Sequence, residues 1–196
     1  QAPVTVSNGM FHVGQTTVAL AFTSSMTFTG GWLDLHDDAL LLVNEIGMQS
    51  GSTFYMYDSS AVKGGPTLDK TSGPGLNIVL DGTVIITSGT FRGLATTGIV
   101  MGNSVNLVSI SSVAFVGPLA AGTTIFNFDS AGTVVIATFT NVMFLDSNIA
   151  VNVRADNLVA PSRLTMRGDS GPRAGARFEN DSLGLVAWPD HPISAI

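Results

Sequence analysis

Leu76-Asn77-Ile78-Val79, Val105-Asn106-Leu107-Val108 and Val134-Val135-Ile136-Ala137 start at positions 76, 105 and 134, a constant spacing of 29. The second half of each unit agrees at the same spacing: Val84-x-Ile86, Val113-x-Phe115 and Val142-x-Phe144. Between the halves lie small polar residues, Thr83, Ser111-Ser112 and Thr140-Asn141. A fixed period in this range is the signature of a solenoid. Within each unit apolar residues alternate at period two, so the repeat is built from strands. No stretch carries a clean 3.6-residue period, and β-branched residues dominate, so helix is not expected.

Outward from this centre the same pattern loosens. Val18, Leu20 and Phe22 alternate with small residues, followed by Met26 and Phe28. A further strand type recurs in Phe54-Tyr55-Met56-Tyr57-Asp58-Ser59 and in Ile125-Phe126-Asn127-Phe128-Asp129-Ser130, with Gly98-Ile99-Val100-Met101-Gly102-Asn103 between them. Three short strands per turn, broken by Gly, Asn, Asp and Ser corners, describe a right-handed parallel β-helix with rungs of about 29 residues. Hydrophobic residues point into its bore, and Asn77 and Asn106 are expected to stack one above the other. The helix is assigned to residues 1–157, irregular to about 70 and regular over 76–157. An insertion, DSSAVKGGPTLDKTSGPG (58–75), carries both lysines, Lys63 and Lys70. It reads as a projecting contact loop. The rung pattern is expected to stop near Asn157. Five of the six arginines and four of the eight prolines crowd into the chain beyond Val153, so 158–196 reads as an irregular cap or arm that packs on a neighbour and ends in an apolar tail with Trp188 and Ile193.

Only 11% of the residues are charged, against about 25% in an ordinary globular protein. Between Thr71 and Ala150 the charged side chains are Asp81, Arg92, Asp129 and Asp146 alone. A surface so poor in charge points to sister subunits covering part of it, which would also protect the open strand edges of a coil. The net charge of −6 argues against a nucleic-acid partner. No apolar run reaches the length of a membrane-spanning helix. The absence of cysteine excludes disulfides and thiolate metal sites, and suits a chain that folds in a reducing cytoplasm and endures outside it. The start at Gln1 fits a processed product or a fragment.

Several motifs invite chemistry. Arg167-Gly168-Asp169-Ser170 spells an adhesion tripeptide within a turn-prone run. Gly168-Asp169-Ser170-Gly171-Pro172 with Gly184-Leu185-Val186-Ala187-Trp188 resembles the nucleophile loop and following strand of chymotrypsin-like serine proteases, and His36 and Asp81 precede Ser170 in that family's order. The context of His36, Leu-Asp-Leu-His-Asp-Asp, departs from the family pattern, as does Pro172. A glycan-cleaving β-helix would need paired carboxylates; Asp58 and Asp129 take the same corner of rungs that are not adjacent. Asp34, Asp37 and Asp38 around His36 could supply oxygen ligands to a cation, but lack a regular ligand spacing and read as a solvated acidic turn. His12 and His191 carry no signal. Tyr55 and Tyr57 alternate with Phe54 and Met56, so one pair faces outward, where it could stack on sugar rings; Phe115, Phe126, Phe128, Phe139 and Phe144 read as core.

At the level of the rungs, residues 97–115 (Thr-Gly-Ile-Val-Met-Gly-Asn-Ser-Val-Asn-Leu-Val-Ser-Ile-Ser-Ser-Val-Ala-Phe) resemble the β-helical segments of bacteriophage tail fibres, tailspikes and other virion appendages. The likeness spans residues 70–157 and carries no catalytic residues over. It implies an oligomeric structural protein, a trimer above other forms, that is assembled in the host cytoplasm, displayed on a virion among other virion proteins, and in contact with a bacterial surface glycan. The expectation is therefore a non-enzymatic appendage subunit with no cofactor, no metal, no nucleic acid and no membrane insertion. Lys63, Lys70, Arg167, Gly168, Asp169 and Trp188 are its candidate partner-binding residues. A carbohydrate-active β-helix enzyme and a serine protease are the alternatives.

Overall fold

The computed structural model describes residues 2–14, 19–59, 65–128 and 134–191. The chain is all-β, a parallel β-solenoid of about 7 turns. It opens with β1 (Val4–Val6) and then winds through β2 (Met10–Val13) and β3 (Leu20–Phe28), β4 (Trp32–His36) and β5 (Leu40–Met48). The next coils are β6 (Thr53–Tyr57), β7 (Thr67–Asp69) and β8 (Leu76–Leu80), then β9 (Thr83–Ile86), β10 (Gly89–Arg92) and β11 (Leu94–Met101). β12 (Asn106–Ser111), β13 (Val113–Val116) and β14 (Thr123–Asn127) follow, then β15 (Ile136–Thr140), β16 (Met143–Phe144) and β17 (Ile149–Arg154). β18 (Arg163–Arg167), β19 (Glu179–Asn180) and β20 (Val186–Ala187) close the described chain.

Three faces result. The first is an eight-stranded sheet in the order β2-β4-β6-β9-β12-β15-β18-β20. The second stacks the opening halves of β3 and β5 with β7, β10, β13 and β16, and the third stacks β1 and the closing halves of β3 and β5 with β8, β11, β14, β17 and β19. β3 and β5 bend from the second face to the third, which joins these two faces into one sheet.

Apolar columns on every face fill the bore. On the first face it is Leu35, Met56, Ile86, Ile110, Phe139 and Met166; on the second Leu41, Leu68, Phe91, Phe115 and Phe144; on the third Met26, Ile46, Ile78, Ile99, Phe126 and Val153. All are buried. Phe115 is the hub: it stacks on Phe91 at 5.4 Å and on Phe144 at 5.9 Å, and meets Phe126 edge-on at 5.3 Å. Phe126 in turn meets Phe139 at 4.9 Å. The alternation that predicted strands holds in β6, β8 and β18, with one side in the bore and the other outward, whereas β14 is buried on both sides.

The expected parallel β-helix is present, but its step is not constant. Trp32 pairs with Thr53 and Thr53 with Thr83, steps of 21 and 30, while Ile110 pairs with Phe139, a step of 29. Only the second and third of the three opening stretches stack on each other. Leu76–Val79 lies on the third face against Leu94–Val100, whereas Asn106 lies on the first face beside Thr83. The Asn77–Asn106 ladder is thus absent: Asn77 pairs with Glu45. Likewise Phe54–Tyr57 belongs to the first face and Ile125–Asn127 to the third. The cause is that every strand alternates, so strands on different faces imitate one another, and corners absorb extra residues without disturbing the stacks.

Two boundaries shift for the same reason. The insertion 58–75 contains β7, whose Leu68 fills the bore. The coil also runs on past Asn157, because β18 pairs with β15 over five residues and with β20 beyond. The opening part of the chain, expected to be irregular, stacks in register: β2, β4 and β6 pair without a bulge, and β3 and β5 pair with a single register shift between Phe22 and Ser25.

Corners are stitched one coil to the next by buried polar side chains. Ser52 Oγ donates to the Phe28 carbonyl and accepts from the Gly30 amide. Asp146 Oδ2 accepts the Leu119 amide at 2.8 Å, and Ser162 Oγ accepts the Val135 amide at 3.0 Å. Such bonds satisfy amides that the turns leave without a strand partner. Gly98 marks the tightest approach between coils, at the register shift within β11. Its φ is 63°, and a Cβ there would lie 1.6 Å from the Thr124 carbonyl oxygen, so only glycine lets β11 pass this close to β14.

Candidate functional site

The outer surface of the first face, across β2, β4 and β6, gathers the chain's chemistry. Leu33, Leu35, Phe54 and Met56 point inward, so alternation turns Trp32, Asp34, His36, Tyr55 and Tyr57 outward. β2 adds exposed Met10 and His12. Register sets Asp34 directly beside His12 and Tyr57 beside His36.

These side chains form one chain of contacts. Asp34 Oδ2 lies 2.7 Å from His12 Nδ1, His12 Nε2 lies 2.7 Å from His36 Nε2, and His36 Nδ1 lies 3.0 Å from Asp37 Oδ2. Asp37 Oδ1 accepts from both the amide and the hydroxyl of Ser59. Those Ser59 bonds, aided by His36, hold the Asp37 carboxyl down at about 2. Tyr57 stacks on His36 at 5.4 Å and on Tyr55 at 4.5 Å. Burial, then the charges of Asp34 and Asp37 with Tyr55, raises the Tyr57 hydroxyl above its ordinary value. Asp34 Oδ1 is buried without a hydrogen-bond partner among the described residues. Gly14 makes the room: a Cβ there would sit 2.6 Å from His36 Nε2 and 3.4 Å from His12 Nε2.

Sequence reading placed Asp34 and Asp37 in a solvated acidic turn and gave His12 no signal. The structure buries both carboxylates, 8% and 5% exposed, and joins them through the two imidazoles. The sequence signal was the outward parity of His12, Asp34 and His36; a coil step of 22, rather than 29, brings them together. Asp38 is exposed at the same corner. Tyr55 and Tyr57 are the outward pair of β6, with Phe54 and Met56 in the bore.

Among the described residues, those named as partner-binding do not gather in one site. Lys63 lies outside the described residues, as do Val18, Asp129, Ser130 and Ile193. Lys70 is half-buried and donates to the Gly73 carbonyl at 3.3 Å. Arg167 and Gly168 are exposed, and the Gly168 amide donates to Asp190. Asp169 turns inward: it is 5% exposed, and its Oδ1 accepts the Val142 amide. The adhesion tripeptide therefore does not present its carboxylate. Burial, outweighing that amide bond, raises the Asp169 carboxyl to about 6. Trp188 is also buried, its indole N–H donating to Glu179 and its ring 6.2 Å from Phe144.

The protease-like constellation does not assemble. His36 on β4 is five strand spacings along the first face from β18, which precedes Ser170, or about 24 Å. Asp81 is engaged instead with the Ser104 amide. Asp58 and Asp129 cannot be compared as a carboxylate pair, since Asp129 lies outside the described residues.

A second surface lies further along the same face. Val108 is 59% exposed, Val134 49% and Ile136 70%. Val108 and Ile136 border one shallow groove with Leu107, Ala137 and Thr138. The chain carries no charge between Arg92 and Asp129, so Val108 lies in a neutral stretch, whereas Ile136 has the exposed Arg163 of β18 as its cross-strand neighbour.

The fold places the molecule in the class of parallel β-solenoids. No family model matches the chain, and no curated protein or solved structure shows significant similarity to it.

Proposed function

We propose that this chain is a structural β-solenoid that works by side-by-side association with copies of itself, as a subunit of a virion appendage such as a tail fibre, spike or capsid decoration. The carrying observation is the strip of Val108, Val134 and Ile136, exposed beside a long stretch of chain without charge. Burying large aliphatic side chains that otherwise stand in water contributes about 25 cal/mol per Å². A partner of the same curvature with a matching aliphatic strip is needed, and a second copy supplies both. A trimer is the favoured form on the rung-level resemblance to phage appendages, which is also what supports a virion setting. The attachment part of the reading draws on Trp32 of β4, 47% exposed, and on the stacked pair Tyr55 and Tyr57 of the neighbouring β6: outward aromatic rings suit the apolar faces of sugars.

The test is Ile136→Lys combined with Val108→Lys. Light scattering should show the oligomer falling to monomer with an unchanged far-UV spectrum. An oligomer of undiminished mass would refute the assignment of this strip as the contact.

A further inference from the structure

The two imidazoles on β2 and β4 meet in an arrangement that their neighbours make chemically specific. Asp34 and Asp37 each face an Nδ1, at 2.7 and 3.0 Å. An ionised carboxylate only accepts, so each ring carries its proton on Nδ1 and presents the Nε2 lone pair. Those lone pairs then point at each other across 2.7 Å. Two lone pairs at that distance repel unless an electrophile, a proton or a metal ion, is shared between them. The charge count favours a dication: two carboxylates and two neutral imidazoles sum to −2, which one divalent ion cancels and one proton does not.

We propose that His12 and His36 chelate a divalent transition-metal ion through their Nε2 atoms, with Asp34 and Asp37 as the hydrogen-bonded carboxylates behind them. Carboxylate-backed histidine is the usual arrangement of a metal-binding imidazole, because the partner fixes the tautomer and raises the basicity of the ligating nitrogen. Among the described residues no three His, Cys, Asp or Glu side chains are placed to hold one ion together, so the protein supplies two ligands and water the rest. The site is preformed. Strands β2 and β4 fix both backbones, Tyr57 stacks on the His36 ring, and Gly14 leaves the space that a side chain would fill.

Geometry selects among metals. With metal–nitrogen bonds of about 2.0–2.1 Å, cis ligands at a right angle stand about 2.9 Å apart and tetrahedral ligands about 3.4 Å. The pair at 2.7 Å needs to open less for the first. Nickel(II) and copper(II), which take tetragonal nitrogen–oxygen sites, are therefore preferred over zinc.

The experiment is calorimetric titration of the intact chain with Ni²⁺ and then Zn²⁺. One Ni²⁺ per chain should bind, more tightly than Zn²⁺. His12→Ala and His36→Ala should each weaken Ni²⁺ binding at least tenfold, and Asp34→Asn about 10–100-fold. His191→Ala, at the far end of the solenoid, should leave it unchanged. Absence of binding, or binding indifferent to His36→Ala, overturns the proposal. Because an alanine variant can fail to fold, the unaltered chain provides a second readout by NMR. Substoichiometric Cu²⁺ should broaden the imidazole signals of His12 and His36 while His191 stays sharp; equal broadening of all three also overturns it.

Discussion

Replacing Phe115 by alanine tests the stacked bore at its hub. The ring is fully buried and contacts three others, Phe91 and Phe144 in parallel stacks and Phe126 edge-on. A buried Phe→Ala change costs about 3–5 kcal/mol through lost transfer energy and the cavity left behind. Each aromatic pair is worth about 0.5–1.5 kcal/mol beyond its area, and three are lost together, so the cost belongs at the top of that range, about 5 kcal/mol. Phe11 is the internal control. It is half-buried at the first coil, and its ring partner among the described residues is Phe22 at 5.6 Å, so Phe11→Ala should cost about 1–2 kcal/mol. Denaturant titration followed by circular dichroism gives the two midpoints. Amide exchange gives the location, because coils of a solenoid interact only with their neighbours. Protection should fall first in β10, β13 and β16 and persist in β4 and β6. A Phe115→Ala cost below about 1 kcal/mol, or one equal to that of Phe11→Ala, would refute a bore built on stacked rings.

Two further perturbations follow from single residues. Gly98→Ala drives a Cβ into the Thr124 carbonyl at a φ of 63°; the chain should lose several kcal/mol, seen as a large drop in midpoint, and an unchanged midpoint would refute the close crossing there. Asp169 has its carboxyl raised from 3.8 to about 6 by burial. The folded state then holds a proton that the unfolded chain has released, so this group's contribution falls as pH rises from about 4 to about 6. Asp169→Asn retains an acceptor for the Val142 amide and should remove that slope, gaining on the order of 1 kcal/mol at pH 7 after allowance for solvent screening. Parallel slopes for the two proteins between pH 4 and 6 would contradict the burial argument.

Period-two alternation in Leu20–Phe28 and Leu76–Ile86 marked strands with one buried side, and the recurrence of such units pointed to parallel coils around a bore. Register was harder to read. The match of Val105–Val108 to Val134–Ala137 is a real coil step, and its extension back to Leu76 is not, because Leu76 sits on a different face. Corners decide the step, and corner length leaves no periodic trace. The His12–Asp34–His36–Asp37 cluster depended on that same step: the shorter first coil sets His12 beside Asp34, and the longer step of the central coils would not. The inward turn of Asp169 and Trp188 was hidden for a related reason, since the Arg- and Pro-rich composition after Asn157 masked two more strands of the first face.

The most direct measurement is the mass of the unaltered chain in solution by light scattering, with a parallel test of resistance to SDS at room temperature. A defined oligomer, with three copies as the favoured number, is the predicted result and accounts for the exposed aliphatic strip of Val108, Val134 and Ile136. A stable monomer at every concentration would contradict self-association as the work of this solenoid.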